Sequence, residues 1–85
     1  MKINKKFLII IVKAGYSPSY VMDAIISKNT YRLMMMVEDL KRQRQQYVGA
    51  DYNLYSDAIK ILNHCIKEIQ IEVNIIALQL SNKNY

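Results

Sequence analysis

The sequence VKAGYSPSYV, at residues 12–21, is where two helical patterns meet through a recognisable turn. Gly15 can adopt the left-handed backbone conformation that ends many helices, because it has no Cβ atom to clash. The hydroxyl of Ser17 can cap the next helix, and Pro18 suits the first helical position, where an N–H is not needed. One helix therefore ends and another begins within about three residues, as in a helix-turn-helix.

The composition points to a small helical domain. The chain has 85 residues, of which 52% are hydrophobic, and it contains only two Gly and one Pro. So few turn-forming residues argue against a disordered chain and favour helices. We predict a single all-α domain over residues 1–85. A helix-turn-helix-like part at 7–47 leads into a helical hairpin, and the long C-terminal helix at 51–81 serves association.

Positive charge is concentrated in the first half of the chain. The net charge is +5, with nine Lys or Arg against three acids in residues 1–50 and three against four in residues 51–85. A polyanionic partner is therefore expected to meet the first half. The alternative is a basic surface that is merely solvated.

The cysteine count and the N-terminus indicate a cytoplasmic protein. Cys65 is alone, so an intramolecular disulfide is not possible and a reducing compartment is the simpler assumption. The apolar run at residues 7–12 is too short for a signal peptide or a membrane span. We expect no membrane partner.

The run FLIIIV at residues 7–12 is ambiguous, because consecutive β-branched residues suit either a buried strand or a buried helix. We predict a helix, since the chain offers no evident partner strand. The alternative is a strand that pairs with its copy in a dimer, as in ribbon-helix-helix proteins.

Two further helices follow the turn. The second is predicted from Pro18 to about Lys28, with an apolar stripe of Val21, Met22, Ile25 and Ile26. The third is predicted from Tyr31 to about Tyr47 and to end at Gly49, with a core stripe of Leu33, Met36, Val37 and Leu40. Met34, Met35 and Met36 are predicted to pack into the core on two sides.

The last helix is predicted from Tyr52 to about Leu80, with Asp51 as its cap. Helical spacing places one apolar row along it: Ala58, Leu62, Cys65, Ile69, Val73, Ile76 and Leu80. After Ile71 the helix is no longer clearly amphipathic, and a small domain cannot cover its far end. We therefore expect self-association, or a different protein partner, through Leu62, Ile69, Val73, Ile75, Ile76, Leu78 and Leu80.

No residue pattern indicates catalysis or a cofactor. His64 and Cys65 are adjacent, which separates their directions on a helix, and the chain has no second His. There is also no Gly-rich phosphate loop. We expect a protein that is not an enzyme and that uses no metal or cofactor.

The string KAGYSP at residues 13–18, a short helix, Lys28-Asn29 and a new helix from Tyr31 together resemble the N-terminal helix-turn-helix of bacteriophage terminase small subunits. The resemblance covers roughly residues 7–45. It implies that the helix after the turn contacts DNA. Members of that family recognise the packaging site of the viral genome, assemble into rings and pass DNA to the large-subunit motor.

We therefore predict a small DNA-binding protein of phage or mobile-element type. Its expected DNA-binding residues surround the turn: Lys5, Lys6, Lys13, Ser17, Ser19, Tyr20, Lys28 and Arg32, together with Lys2. The alternative is a helical protein-binding module, such as a chaperone, an adaptor or a phage-encoded inhibitor of a host complex.

Overall fold

The computed structural model describes residues 3–83, and these form four α-helices and no strand. The helices are α1 (Lys5–Lys13), α2 (Pro18–Ile26), α3 (Thr30–Arg44) and α4 (Ala50–Lys83). The all-α prediction is confirmed. Residues 7–12 lie within α1, so the strand alternative is wrong. Lys2 lies outside the described residues.

The turn between α1 and α2 has the predicted chemistry. Gly15 has a φ of +99°, and the Ser17 hydroxyl accepts the backbone N–H of Tyr20 at 3.1 Å. Pro18 occupies the start of α2. The chain bends by 115° between the two helices, within the roughly 90–120° range of helix-turn-helix units.

Two helices end earlier than predicted. The second ends at Ile26 rather than Lys28, because Lys28 takes a left-handed backbone with a φ of +58°. The third ends at Arg44 rather than Tyr47. In its last residues the N–H groups of Gln45 and Tyr47 bond to carbonyls only three residues back, which tightens the chain out of the α-helix.

The start of α4 also differs from the prediction. Gly49 does not end α3 but lies directly before α4, with a φ of +71°, and its carbonyl accepts the N–H of Asn53 at 3.1 Å. The helix therefore begins at Ala50, and Asp51 stands in its first turn rather than capping it. A carboxylate there still favours the helix, because it faces the positive end of the dipole.

A single core lies where α1 and α3 pack along the first two thirds of α4 and α2 packs against α1 and α3. The largest contact is between α3 and α4. The buried side chains are Phe7, Ile10, Ile11, Val21, Ala24, Leu33, Met36, Val37, Leu40, Tyr55, Ala58, Ile59, Leu62, Cys65, Ile66 and Ile69. The predicted stripe of α3 is thus buried throughout. Along α4 the predicted row is buried only as far as Ile69.

Some apolar residues predicted for the core lie at the surface instead. Ile26 is 75% exposed, because it forms the last turn of α2, where the chain has already left the core. Met34 and Met35 are about half exposed, whereas Met36 is buried. Only one side of α3 faces α4, so the prediction that these methionines pack on two sides is wrong.

The molecule is elongated because α4 extends beyond the other helices. The 34 residues of α4 span about 51 Å at 1.5 Å per residue, close to the 55 Å long axis of the molecule. Within residues 3–83, no single helix is both long and apolar enough to cross a membrane. Only α1 and α2 taken together meet that criterion, across their 115° bend.

A polar chain of contacts ties the turn to both long helices. The fully buried Tyr55 on α4 donates its hydroxyl to Gln43 Oε1 on α3 at 3.0 Å. The amide nitrogen of Gln43 donates in turn to the carbonyl of Ala14 at 3.0 Å and to Asp39 Oδ2 at 3.2 Å. Gln43 therefore forms hydrogen bonds to α4, to the turn and to another residue of its own helix, α3.

Replacing Gln43 should destabilise the fold. The Gln43→Ala variant removes the acceptor of the buried Tyr55 hydroxyl, which costs about 1–3 kcal/mol for an unpartnered buried group, and also the donor to the partly buried carbonyl of Ala14. We expect a lower urea midpoint with an unchanged slope. Gln46→Ala, at an exposed residue two positions past the end of α3, is the control and should be nearly neutral. Equal midpoints for the two variants would contradict this role of Gln43.

Candidate nucleic-acid interface

Four of the predicted DNA-binding residues form one neighbourhood at the turn and the start of α3. The hydroxyls of Ser17 and Ser19 lie 3.4 Å apart. The guanidinium of Arg32 lies 4.5 Å from the ring centroid of Tyr20, which also stacks on Tyr16 at 5.8 Å. These side chains form a continuous polar and aromatic surface along the exposed side of α2.

The acidic residue on this surface is neutralised. Arg32 forms an ion pair with Asp23 at 3.2 Å, which joins the start of α3 to the middle of α2. Asp23 would otherwise repel phosphates from the outer face of α2, since its side chain is 71% exposed. The pair leaves this face without net charge and fixes Arg32 over the Tyr20 ring.

The other predicted cations do not join that neighbourhood. Lys13 pairs with Asp51 at 3.0 Å, near the start of α4, and lies 4.7 Å from the centroid of Tyr47. Lys28 pairs with Glu72, toward the far end of the same helix. These two acids are 21 residues apart on α4, so the two ion pairs are separated by about 31 Å along the helix axis.

Lys5 and Lys6 stand apart from these pairs. Both are exposed in the first turn of α1, and neither has an ion-pair partner among the side chains of residues 3–82. The first turn of α1 contains no acid. Cations at this position oppose the positive end of the helix dipole, which is a local cost to α1.

The basic end of α3 is occupied by contacts within the chain. Lys41 pairs with Glu38 at 3.5 Å, and Arg42 pairs with Asp39 at 3.0 Å. Arg44 donates to the hydroxyl of Ser56 at 3.1 Å. Surface pairs of this kind contribute little to stability. The main effect of these cations is to keep the end of α3 polar and to complement the negative end of its dipole.

Sequence reasoning missed the contact that positions the turn. The Tyr16 hydroxyl donates to Asp39 Oδ2 at 2.7 Å, across 23 residues of sequence. Burial and the adjacent Asp39 carboxylate raise the pKa of Tyr16 to about 12, while the hydroxyl of Tyr16 lowers the pKa of Asp39. No local pattern marks this pair, because each residue alone resembles an ordinary surface residue.

The described residues show no arrangement for metal binding. No group of three His, Cys, Asp or Glu side chains within that part of the chain could hold a metal ion. Cys65 is buried, and burial raises the pKa of its thiol, which disfavours the reactive thiolate. His64 contacts Glu68 at 2.8 Å on the surface of α4. That the chain is not an enzyme stays a prediction.

The predicted association residues fall into two groups. Leu62 and Ile69 are buried in the chain's own core, so they are not available to a partner, which corrects their assignment. The others lie beyond the part of α4 that the shorter helices cover, and each is between 48% and 65% exposed: Val73, Ile75, Ile76, Leu78 and Leu80.

Comparisons with known proteins identify no relative. No family model, no curated protein and no solved structure matches this chain.

The Tyr16–Asp39 contact predicts a specific pH dependence of stability. The pKa of Asp39 is lowered on folding, so its contribution is fully present above the unfolded value of 3.8 and is lost as pH falls through the lower folded value. Tyr16→Phe removes the charge-assisted hydrogen bond. We expect this variant to be less stable than the parent chain at pH 7 and the difference to shrink as the pH falls below 3.8.

Urea unfolding of both chains at pH 7, 5 and 3 measures this effect. Tyr31→Phe serves as the control, because Tyr31 is 73% exposed, and it should match the parent chain at each pH. A difference between Tyr16→Phe and the parent chain that is constant from pH 7 to pH 3 would contradict the assignment to Asp39.

Proposed function

We propose that this chain is a small, non-enzymatic DNA-binding protein of phage or mobile-element type, resembling a shortened terminase small subunit. The observation that carries the proposal is the turn between α1 and α2. Its four residues, 14–17, turn the chain by 115°, with a left-handed Gly15 and a Ser17 cap. This is the geometry of a helix-turn-helix unit.

The charge at the start of α1 supports binding to a polyanion. Lys5 and Lys6 oppose the dipole of α1 and have no ion-pair partner in the described part of the chain. A phosphate near the start of α1 would meet two cations and the exposed N–H groups of a helix N-terminus, both of which favour an anion. In the complex, the phosphate would offset the unfavourable interaction of Lys5 and Lys6 with the positive end of the α1 dipole.

The paired cations can also reach phosphates. Lys13 and Lys28 are part of exchangeable surface pairs, with side chains 37% and 51% exposed. Such pairs contribute little, so a phosphate can compete with the carboxylate. These contacts supply affinity and position the chain without reading base sequence. Ser19 and Tyr20, on the exposed side of α2, would make the contacts to the bases.

Fluorescence anisotropy of a labelled duplex, and of a matching single strand, tests the proposal across several salt concentrations. We expect affinity for duplex DNA to fall log-linearly with salt, with a slope of about −3 to −5 if four or five phosphates are neutralised. Absence of binding even at low salt would overturn the proposal.

A pair of charge variants locates the interface. Lys5→Gln with Lys6→Gln should weaken duplex binding and reduce the magnitude of the salt slope by about 2, because two phosphate contacts are lost. The matched control is Lys60→Gln with Lys67→Gln, which removes the same charge from exposed positions on α4. If both double variants weaken binding equally, the effect is one of net charge and the interface lies elsewhere.

A helical protein-binding module remains the second candidate function, and one observation favours it. Tyr31, Met34 and Met35 expose a flexible apolar surface on α3, a composition suited to a protein partner. A chaperone, an adaptor or an inhibitor of a host complex would use such a surface. Retention of one discrete protein in high salt, without DNA affinity at low salt, would favour this function over the first.

A further inference from the structure

The far end of α4 is an apolar helix that the chain itself does not cover. We call residues 70–82 the α4 tail, and every one of them is exposed. Six large apolar side chains in the tail are 48–65% exposed: Ile71, Val73, Ile75, Ile76, Leu78 and Leu80. Glu72 is the only ionisable residue in the tail, and it already pairs with Lys28.

The apolar residues of the tail lie on both sides of a strip of smaller and polar side chains. At about 100° per residue, two stripes face nearly opposite directions. The stripes are Val73, Ile76 and Leu80 on one side, and Ile71, Ile75 and Leu78 on the other. Between them run Gln70, Asn74, Ala77 and Ser81. A second helix can approach closely along this strip and touch the near edge of each stripe.

A groove between α3 and α4 is a second apolar feature left uncovered. Its volume is about 330 Å³. The lining residues are Tyr31, Met34, Met35, Val37, Glu38, Lys41, Asn63 and Ile66. Val37 and Ile66 form a buried floor, whereas Tyr31, Met34 and Met35 are 49–73% exposed. Glu38 and Lys41 pair with each other at 3.5 Å, so the groove presents little net charge.

We propose that the α4 tail of a second copy occupies this groove, so that two chains form an antiparallel dimer along α4. The spacing of the sequence supports this register. Ile66 on the groove floor, Val73 and Leu80 are each seven residues apart, which is about two helical turns. With the two-fold axis near Val73, Leu80 of each chain lies over Ile66 of the other.

The second copy is the occupant that accounts for both features at once. A two-fold contact must be self-complementary, and here each chain carries both the tail, on α4, and the groove, between α3 and α4. The contact would involve nine exposed apolar side chains per chain. At on the order of 100 Å² each, their exposed area sets an upper limit of roughly 900 Å² per chain, which is similar to the ~800 Å² per partner of stable complexes.

Charge also favours a second copy over an acidic or basic partner. Glu72 lies about 170° around α4 from the centre of the strip, so its carboxylate stays outside the contact and keeps its pair with Lys28. An apolar tail meeting a groove whose charges already pair with each other leaves no uncompensated charge in the contact. This inference does not depend on DNA binding, and its tests contain no DNA.

Sedimentation velocity across a concentration series tests the dimer. We expect a reversible dimer of the full chain. Met34→Gln with Met35→Gln in the groove, and Leu78→Gln with Leu80→Gln in the tail, should each raise the dimer Kd by about tenfold or more. All four residues are exposed in the single chain, so far-UV circular dichroism should show unchanged helicity.

Val48→Gln is the matched control, because Val48 is 90% exposed in the loop before α4 and lies outside the contact. It should leave the dimer Kd unchanged. A chain that stays monomeric would overturn the proposal. A groove variant that dimerises like the parent chain, beside a tail variant that does not, would also overturn it, because the tails would then pair without the groove.

Disulfide trapping tests the orientation in a chain that carries Cys65→Ala. Asn74→Cys places a thiol beside the proposed axis, and we expect a covalent dimer on a non-reducing gel after mild oxidation. Ser81→Cys lies on the same strip, but the two copies would be about 24 Å apart and should not cross-link. Cross-linking of both variants would indicate parallel helices, and cross-linking of neither would exclude an axis at this position.

Discussion

The buried hydroxyl of Tyr55 is the constraint around which the covered part of the molecule is arranged. A buried hydroxyl needs a partner, and Gln43 supplies it while also donating to Ala14 and Asp39. Asp39 then accepts the hydroxyl of Tyr16. This network connects α4, α3 and the turn. The orientation of α2 therefore depends on contacts that α3 makes with Ala14 and Tyr16, just before α2 begins. The contacts of this network are partly buried, so its members support one another more strongly than exposed groups would.

The sequence was informative where structure is decided locally. Gly15, Ser17 and Pro18 specify the turn through their own backbone preferences, so their roles could be predicted and are confirmed. The network around Gln43 could not be predicted, because its contacts cross 12–29 residues and a glutamine near a helix end is usually solvated. Met34 and Met35 were misassigned for a related reason. A helix pattern shows which residues are apolar but not how many neighbours the helix has.

For α4 as well, the sequence pattern shows which residues are apolar but not which of them another helix covers. The weakened amphipathicity after Ile71 correctly marked a helix end that the chain does not cover, although Ile69 is the last residue of the core. The boundary lies there because α3 has 15 residues against 34 in α4, so it is less than half as long. Leu62 and Ile69 fit the apolar row as well as Val73 does, and only the lengths of the packed helices separate core from tail. The DNA-binding and association residues themselves stay predictions.

The length of α4 relates the proposed dimer to the proposed DNA contacts. Lys13 contacts Asp51, which is 22 residues or about 33 Å from the proposed axis at Val73, whereas Lys28 contacts Glu72 beside that axis. A dimer would therefore hold its two Lys13 side chains roughly 66 Å apart, with both Lys28 side chains near the centre. Two turns of B-DNA span about 68 Å, so each half of the dimer would meet the duplex at an equivalent position. The separation of these lysines argues against one compact phosphate site on a single chain, but it is compatible with a two-fold dimer on a straight duplex.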